Sequence, residues 1–227
     1  MPQTNSPSPA TAGNHIGHRG LIATAIILTV IILDQILKIW VKTHFYLNED
    51  LEITSWFHLH FIENNGMAFG MEFGPKIFLT IFRLVLAAGL IWVLVRIKGM
   101  AAVKTGFLVC LALIIAGAIG NIIDCVFYGV IFNNPMPPEV AQMFPPGGGY
   151  ATLFHGRVVD MLYFPLFSFT WPGWMPGVGG QEFLFSQPVF NLADAAISCG
   201  MIAVLIFYPR QLTLSSSDPS DSSDEKA

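Results

Sequence analysis

Four long apolar stretches constrain this chain most, because each is close to the length that crosses a lipid bilayer. They cover residues 20–41, 77–97, 104–124 and 188–208. A helix needs about 20 apolar residues to span a hydrocarbon core about 30 Å thick, and helices satisfy the backbone groups of single segments in lipid. The pattern therefore predicts an all-α membrane protein with four transmembrane helices.

The composition supports a membrane-embedded domain. The chain is 53% hydrophobic and only 11% charged, whereas a soluble domain carries about 25% charged residues. We interpret residues 20–210 as a single four-helix transmembrane domain, with disordered tails at 1–19 and 211–227. The Lys and Arg residues form no basic stripe, so we expect no nucleic-acid partner.

Two long loops connect the predicted helices, at 42–76 and 125–187. The first contains LEITSWFHLHFI at 51–62, where β-branched and aromatic residues partly alternate, which predicts a small extracytoplasmic β element between helices 1 and 2. The second loop is rich in Pro, Gly and aromatic residues. We predict an irregular loop with Trp171 and Trp174 at the membrane interface, and a separate folded module is the alternative.

The distribution of basic residues predicts the orientation in the membrane. Those near the predicted inner helix ends are Arg19, Arg96, Lys98, Lys104 and Arg210. The loop 42–76 is instead acidic, so both termini should be cytoplasmic and both long loops should face outward. Lys38 and Lys42 oppose this bias, and we expect their long side chains to reach the outer interface.

Polar groups interrupt the apolar stretches at Asp34, Arg83, Asp124 and Asp194. At about 1.5 Å per residue, Asp34 and Asp194 each lie ~9 Å below the outer edge, Arg83 is similarly placed, and Asp124 sits at the outer end of its stretch. A charge at such depth is costly and usually marks a function. Each group also has a structural alternative, such as an ion pair between Asp34 and Lys38. Their shared level nevertheless predicts one functional layer near the outer face.

Asn and Gly accompany these acids, in NNGMAFG at 64–70, GNIID at 120–124 and FNLAD at 190–194. Asn both donates and accepts hydrogen bonds, and Gly allows close backbone approach. Two facing Asp residues in a poorly solvated site cannot easily both ionise, so one keeps a proton and the other can accept one. Such a pair can activate water without a metal. The spacing of His58 and His60 is only a weak indication of a metal site, so we do not predict one, and we expect no cofactor.

Five blocks of the chain resemble the bacterial lipoprotein signal peptidases, also called signal peptidase II. In chain order the blocks are DQILK at 34–38, NNGMAF at 64–69, GNIID at 120–124, VVD at 158–160 and FNLADAAI at 190–197. A single block such as VVD is weak. The order of all five, together with their predicted placement on the outer side, makes the resemblance specific.

The resemblance implies an aspartyl endopeptidase of the bacterial cytoplasmic (inner) membrane, in contact with membrane lipid. The implied substrate is a prolipoprotein whose lipobox cysteine carries diacylglycerol, and cleavage just before that cysteine releases the signal peptide. Asp160 and Asp194 would form the catalytic dyad. The residues implied to line and order the site are Asp34, Lys38, Asn64, Gly66, Asn121, Asp124 and Asn191. The family is also the target of the cyclic peptide globomycin.

The chain departs from the family pattern at two positions near these blocks. Cys125 stands where many members have Arg after GNxxD, and Met161 replaces the usual Phe after VVD. Arg157 lies three residues before Asp160 and is a candidate for the missing charge.

Two other functions are compatible with intramembrane acids. A proton-coupled transporter uses carboxylates and a paired Arg as a relay. The absence of an inverted repeat in the sequence, and polar groups near one face instead of the midplane, disfavour it. A non-catalytic envelope scaffold is the other alternative, and it predicts that Asp-to-Asn changes are tolerated.

Overall fold

A computed structural model of the chain describes residues 9–65, 76–186 and 188–214. The helices are α1 Pro9–His44, α2 Lys76–Ile97, α3 Thr105–Ile123, α4 Gly129–Ile131, α5 Leu192–Phe207 and α6 Pro209–Leu214. The strands are β1 Asp50–Thr54, β2 Phe57–Asn64, β3 Val158–Tyr163, β4 Pro165–Thr170 and β5 Glu182–Ser186.

Three helical segments in the described part of the chain are long and apolar enough to cross a membrane: His18–His44, Lys76–Ile97 and Thr105–Ile131. In the last of these, a π-helical turn at Asp124–Tyr128 joins α3 to α4. The fourth predicted span corresponds to α5, which is apolar but only 16 residues long. That is about 24 Å of helix, so a mostly helical membrane protein is confirmed and the count of four spans stays a prediction.

The ends of the domain differ from the predicted tails. Helix α1 begins at Pro9, so residues 9–19, which we expected to be disordered, are helical. Proline is compatible with a helix start because its missing N–H would have no partner there. At the other end α6 continues to Leu214, past the predicted boundary at 210. The remaining tail residues, 1–8 and 215–227, lie outside the described part.

A three-stranded antiparallel sheet in the order β1-β2-β3 lies beside the helices. Its first two strands confirm the β element predicted after helix 1, and β3 is contributed by the second long loop. Ile62 of β2 pairs with Asp160 of β3. An isolated bridge joins Leu162 of β3 to Phe190, two residues before α5. The sheet thereby brings β3 next to the start of α5.

The prediction of an irregular second loop is wrong for residues 165–186. Strands β4 and β5 pair as an antiparallel hairpin. Its connection contains Gly177 and Gly180 at φ 83° and 78°, a left-handed conformation that glycine adopts without strain. The alternating aromatic residues of both strands are typical of β structure, but the Pro and Gly residues around them obscure this pattern. Trp174, expected at the membrane interface, is 78% exposed.

Helix α3 occupies the centre of the helical layer and packs closely on α5 through small residues. A Cβ atom at Gly117 would lie 2.2 Å from the carbonyl oxygen of Ala193, and one at Gly120 would lie 2.7 Å from Oδ2 of Asp34. Glycine at these positions lets the helices approach more closely than side chains would permit. The start of α5 and the middle of α1 therefore meet against α3.

Candidate active site

A buried lysine holds two of the predicted acids together. Nζ of Lys38 lies 3.0 Å from Oδ2 of Asp34 and 2.7 Å from Oδ2 of Asp124. It also donates to Oδ1 of Asn121 at 2.9 Å, so the ammonium group has three acceptors for its three protons. The side chains of Lys38, Asp34 and Asp124 are 0%, 1% and 0% exposed. We call these three residues the lysine cluster.

Two residues that sequence reasoning missed complete this cluster. Nε2 of Gln35 lies 3.0 Å from Oδ1 of Asp124 and 3.1 Å from Oδ2 of Asp34, and the hydroxyl of Tyr128 donates to Oε1 of Gln35 at 3.1 Å. Gln35 carried a signal, because it is an uncharged polar residue inside an apolar stretch. Tyr128 carried none, because aromatic residues are common near helix ends at membrane interfaces.

The lysine cluster also fixes the backbone of two neighbouring elements. Oδ1 of Asp34 accepts from the backbone N–H of Ala193 at 2.9 Å, where a carboxylate favours a helix N-terminus. Oδ2 of Asp124 accepts from the backbone N–H of Val159 at 3.3 Å. The cluster thus anchors the first turn of α5 and strand β3.

The other two acids stand on these anchored elements and are tethered by one amide side chain. Nδ2 of Asn191 lies 2.6 Å from Oδ1 of Asp160. Asn191 also caps α5: its Oδ1 accepts from the backbone N–H of Asp194 at 2.9 Å, and Oδ2 of Asp194 accepts from the backbone N–H of Asn191 at 3.4 Å. This reciprocal arrangement is a capping box. We call Asp160 and Asp194 the aspartate pair.

Further amide groups contact the aspartate pair. Nδ2 of Asn121 donates to Oδ1 of Asp194 at 2.7 Å, and Nδ2 of Asn64 donates to Oδ2 of Asp160 at 3.3 Å. Oδ1 of Asn121 in turn accepts from Lys38, so it links the pair to the lysine cluster. Within the described residues, the side-chain donors to the pair are amides and not lysine or arginine.

Burial changes the acidity of Asp160. Its side chain is 2% exposed. Loss of water contact, and secondly the charge of Asp194, raise the pKa of Asp160 from 3.8 to about 7. Two carboxyl groups that interact in this way titrate as a unit, and near neutral pH they can share one proton.

The structure brings most of the predicted site residues together. Those joined directly or through one partner are Asp34, Lys38, Asn64, Asn121, Asp124, Asp160, Asn191 and Asp194. Gly66 lies outside the described residues. Arg157 lies elsewhere, because its Nη1 donates to Oε2 of Glu63 at 3.0 Å. The guanidinium beside Cys125 belongs to Arg83, whose Nη1 lies 3.3 Å from Sγ.

The sequence led us to expect that Lys38 and Lys42 reach the outer interface, but neither of them does. Lys42 is 1% exposed and forms an ion pair with Glu63. Its Nζ also lies 5.3 Å from the ring centres of Phe132 and Tyr150. Both lysines turn inward because acidic and aromatic partners are available there, and Glu63 is a partner that sequence reasoning missed.

Sequence comparisons point to one family. A family profile described as signal peptidase (SPase) II matches residues 26–209. A lipoprotein signal peptidase of Porphyromonas gingivalis is 50% identical over 196 residues, which cover 86% of each chain. A lipoprotein signal peptidase of Amoebophilus asiaticus is 35% identical over 187 residues, which cover 80% of this chain and 75% of that protein.

Solved structures share the fold. One bacterial membrane enzyme determined by the in meso method has a TM-score of 0.55 and 22% identity, over 82% of this chain and 90% of that chain. A second has a TM-score of 0.54 and 20% identity, over 87% and 93%. The sequence matches extend over most of the chain and include the buried acids described above. This multi-pass bacterial membrane protein therefore belongs to the signal peptidase II family.

Proposed function

We propose that this chain removes the signal peptide from diacylglyceryl-modified prolipoproteins by cleaving just before the lipid-carrying lipobox cysteine. Membership of the signal peptidase II family supports this activity and does not favour a proton-coupled transporter. The observation that carries the proposal is the aspartate pair, in which Asn191 tethers Asp160 and Asp194 at the start of α5.

The proposed reaction is acid–base hydrolysis without a covalent intermediate. Asp160 holds the shared proton, because its pKa is about 7. Asp194 takes a proton from a water molecule, which attacks the scissile carbonyl carbon, while Asp160 donates its proton to the carbonyl oxygen. As the tetrahedral intermediate breaks down, the proton held by Asp194 passes to the leaving amine and the C–N bond breaks. Asp160 takes a proton back from a hydroxyl group of the intermediate, which restores the starting state of the pair.

The amide groups around the pair position it for this reaction. Asn121 and the backbone N–H of Asn191 fix the two oxygens of Asp194. Asn64 and Asn191 do the same for Asp160. Because these donors are neutral, they orient the carboxyl groups without neutralising them, and the pair can still exchange protons with substrate.

The membrane placement that fits this activity has four spans, with α5 as the fourth, both termini cytoplasmic and the aspartate pair near the outer face. A diacylglyceryl chain stays in lipid at about 0.8 kcal/mol per buried CH₂, so the adjacent peptide bond is held near the membrane surface. A site ~9 Å below the outer edge suits that bond. Strands β1 to β3 would then cradle the substrate, and globomycin would bind in the place of the substrate beside these strands.

Cleavage of a synthetic lipobox peptide by the purified full chain tests this function. A peptide with diacylglycerol on its cysteine should be cut before that residue, as mass spectrometry of the products will show. The same peptide without lipid serves as the control and should remain intact. Globomycin should inhibit the reaction and a metal chelator should not. The proposal fails if the lipidated peptide stays intact under conditions in which the Porphyromonas gingivalis relative cuts it.

A further inference from the structure

The end of the helical layer opposite the aspartate pair contains an apolar cavity of about 190 Å³. It is lined by residues of the loop 97–103 between α2 and α3, by Phe107 of α3 and by Gln211 of α6. Gln211 closes one side, since its Nε2 donates to the carbonyl of Ala102 and its Oε1 accepts from the backbone N–H of Lys104. The remaining lining is hydrocarbon.

Basic residues stand next to the residues that line this cavity. Lys98 lies within the lining loop 97–103, and Lys104 directly follows it. Arg19 reaches the same loop from α1, where its Nη1 donates to the carbonyl of Met100 at 3.3 Å and its Nη2 contacts the carbonyl of Val103. Its Nε is buried and has no hydrogen-bond partner in the described part of the chain. A buried donor without a partner is costly, and an anionic oxygen would remove that cost.

The described segments around the cavity contain no acidic residue. The sequence has no Asp or Glu over 9–33, over 76–123 or over 195–214. These ranges include the inner halves of α1 and α5 and the whole of α2, α3 and α6. The cavity is therefore apolar inside and positively charged at its rim, which complements a ligand with a negative group attached to a hydrocarbon chain.

We propose that this corner binds one anionic phospholipid, with its phosphate at Arg19, Lys98 and Lys104 and part of an acyl chain in the cavity. Basic pockets between membrane helices bind such head groups. A free phosphate has no apolar group to fill the cavity, and the polar, acidic tail at 215–227 would not fill it either. Along α1 the site lies about 22 Å from Asp34, so it is separate from the aspartate pair and does not depend on the proposed peptidase activity.

The test measures thermal stability of the full chain in phosphatidylcholine nanodiscs that contain increasing fractions of phosphatidylglycerol. The melting temperature should rise and saturate. The double variant Lys98→Gln, Lys104→Gln should need about tenfold more phosphatidylglycerol for the same effect. Ala102→Phe keeps all charges but fills the cavity, and it should abolish the saturable rise. The matched control is Arg96→Gln, because this guanidinium stacks 5.2 Å from the ring centre of Trp92 and should leave the response unchanged.

Each of three results would overturn the proposal. If the Arg96 variant and the double lysine variant showed the same dependence of melting temperature on phosphatidylglycerol, the lipid would be responding only to diffuse surface charge. An equal rise with soluble glycerol phosphate would mean a free anion site. If removal of residues 215–227 created a lipid response that the full chain lacks, the tail would be the occupant. Because cleavage is not the readout, none of these results bears on the proposed peptidase function.

Discussion

The two sets of aspartates in this protein differ in the groups that compensate their charge. Asp34 and Asp124 share the ammonium group of Lys38 at 3.0 and 2.7 Å. Asp160 and Asp194 are instead joined by the neutral amides of asparagines. Asp34, Asp124 and Asp160 are all at most 2% exposed. We infer that the same side chain serves as a structural anchor in one set and, in the proposed mechanism, as a reactive group in the other, depending on its donors.

The physical reason lies in charge balance. An ammonium group compensates the charge of a buried carboxylate and favours its ionised form. An amide contributes a dipole but no charge, so a second nearby carboxylate is balanced most easily by a proton. Burial, and secondly the charge of Asp194, raise the pKa of Asp160 to about 7. The lysine cluster therefore anchors β3 and the start of α5, the two elements that carry the aspartate pair.

The largest expected effect comes from the aspartate pair. Asp160→Asn and Asp194→Asn should each lower the cleavage rate by about 10³-fold or more, because each removes a general acid or base. Both should leave the fold intact, since an amide is nearly isosteric with a carboxyl group. Initial rates on the lipidated peptide and melting temperatures of the purified variants check this. A variant that cleaves at the wild-type rate would remove its residue from the mechanism.

Replacement of Lys38 should mainly lower the stability of the folded protein. Lys38→Met leaves two carboxylates in a buried site without a cation, and it should lower the free energy of unfolding by about 3–5 kcal/mol. The triple variant Lys38→Met, Asp34→Asn, Asp124→Asn removes the charges together and should recover most of that loss. Denaturant titrations in detergent compare the three proteins. If Lys38→Met were as stable as the aspartate-pair variants, the distinction between the two sets would be refuted.

Asn191 belongs to both sets of contacts, and two substitutions can separate its roles. Asn191→Ala removes the cap of α5 and should cost about 1 kcal/mol of stability, together with a loss of activity from the untethered Asp160. Asn191→Ser can still accept from the N–H of Asp194 but is too short to reach Asp160. We therefore expect serine to restore stability without restoring the cleavage rate. Recovery of both properties would show that Asn191 acts only as a cap.

The individual polar residues of both sets were predictable, but their division was not. Asp34, Asn121 and Asn191 stand out in the sequence because each interrupts an apolar stretch. Which carboxylate receives a lysine depends on contacts between helices far apart in the chain, and a local pattern does not encode these. The sequence therefore predicted one functional layer of acids. In the structure, two of these acids pair with a lysine and the other two with asparagine side chains.

Strand pairing set another limit on prediction. The alternation in β2 is local and identified the first strands of the sheet. Strand β3 is a run of six residues, VVDMLY, whose partner lies across the whole of α2 and α3. Strand preference depends strongly on such tertiary neighbours. For the same reason Arg157 was named as a candidate for the charge missing at Cys125 because it lies near Asp160 in the sequence, although its partner Glu63 comes from β2.

The smallest effect concerns the pH dependence of the aspartate pair. If Asp160 donates the proton, the cleavage rate should fall about tenfold per pH unit above about 7. Asn64 donates to Oδ2 of Asp160 and favours its ionised form. Asn64→Ala should therefore raise the pKa of Asp160 further and shift the alkaline limb upward, by less than about one unit. Rate profiles of the two proteins check this, and a downward shift would contradict the assignment of the acid.

Stability should follow the same pKa. The unfolded chain has the ordinary value of 3.8 for Asp160 and the folded chain about 7, so between these values the folded state binds more protons. The favourable contribution of this group is then fully present below 3.8 and is lost as the pH rises through about 7. Asp160→Asn removes the titration, so its melting temperature should fall less than that of the wild type as the pH rises from 3.8 to about 7. Parallel curves would mean that Asp160 is already ionised in the folded protein.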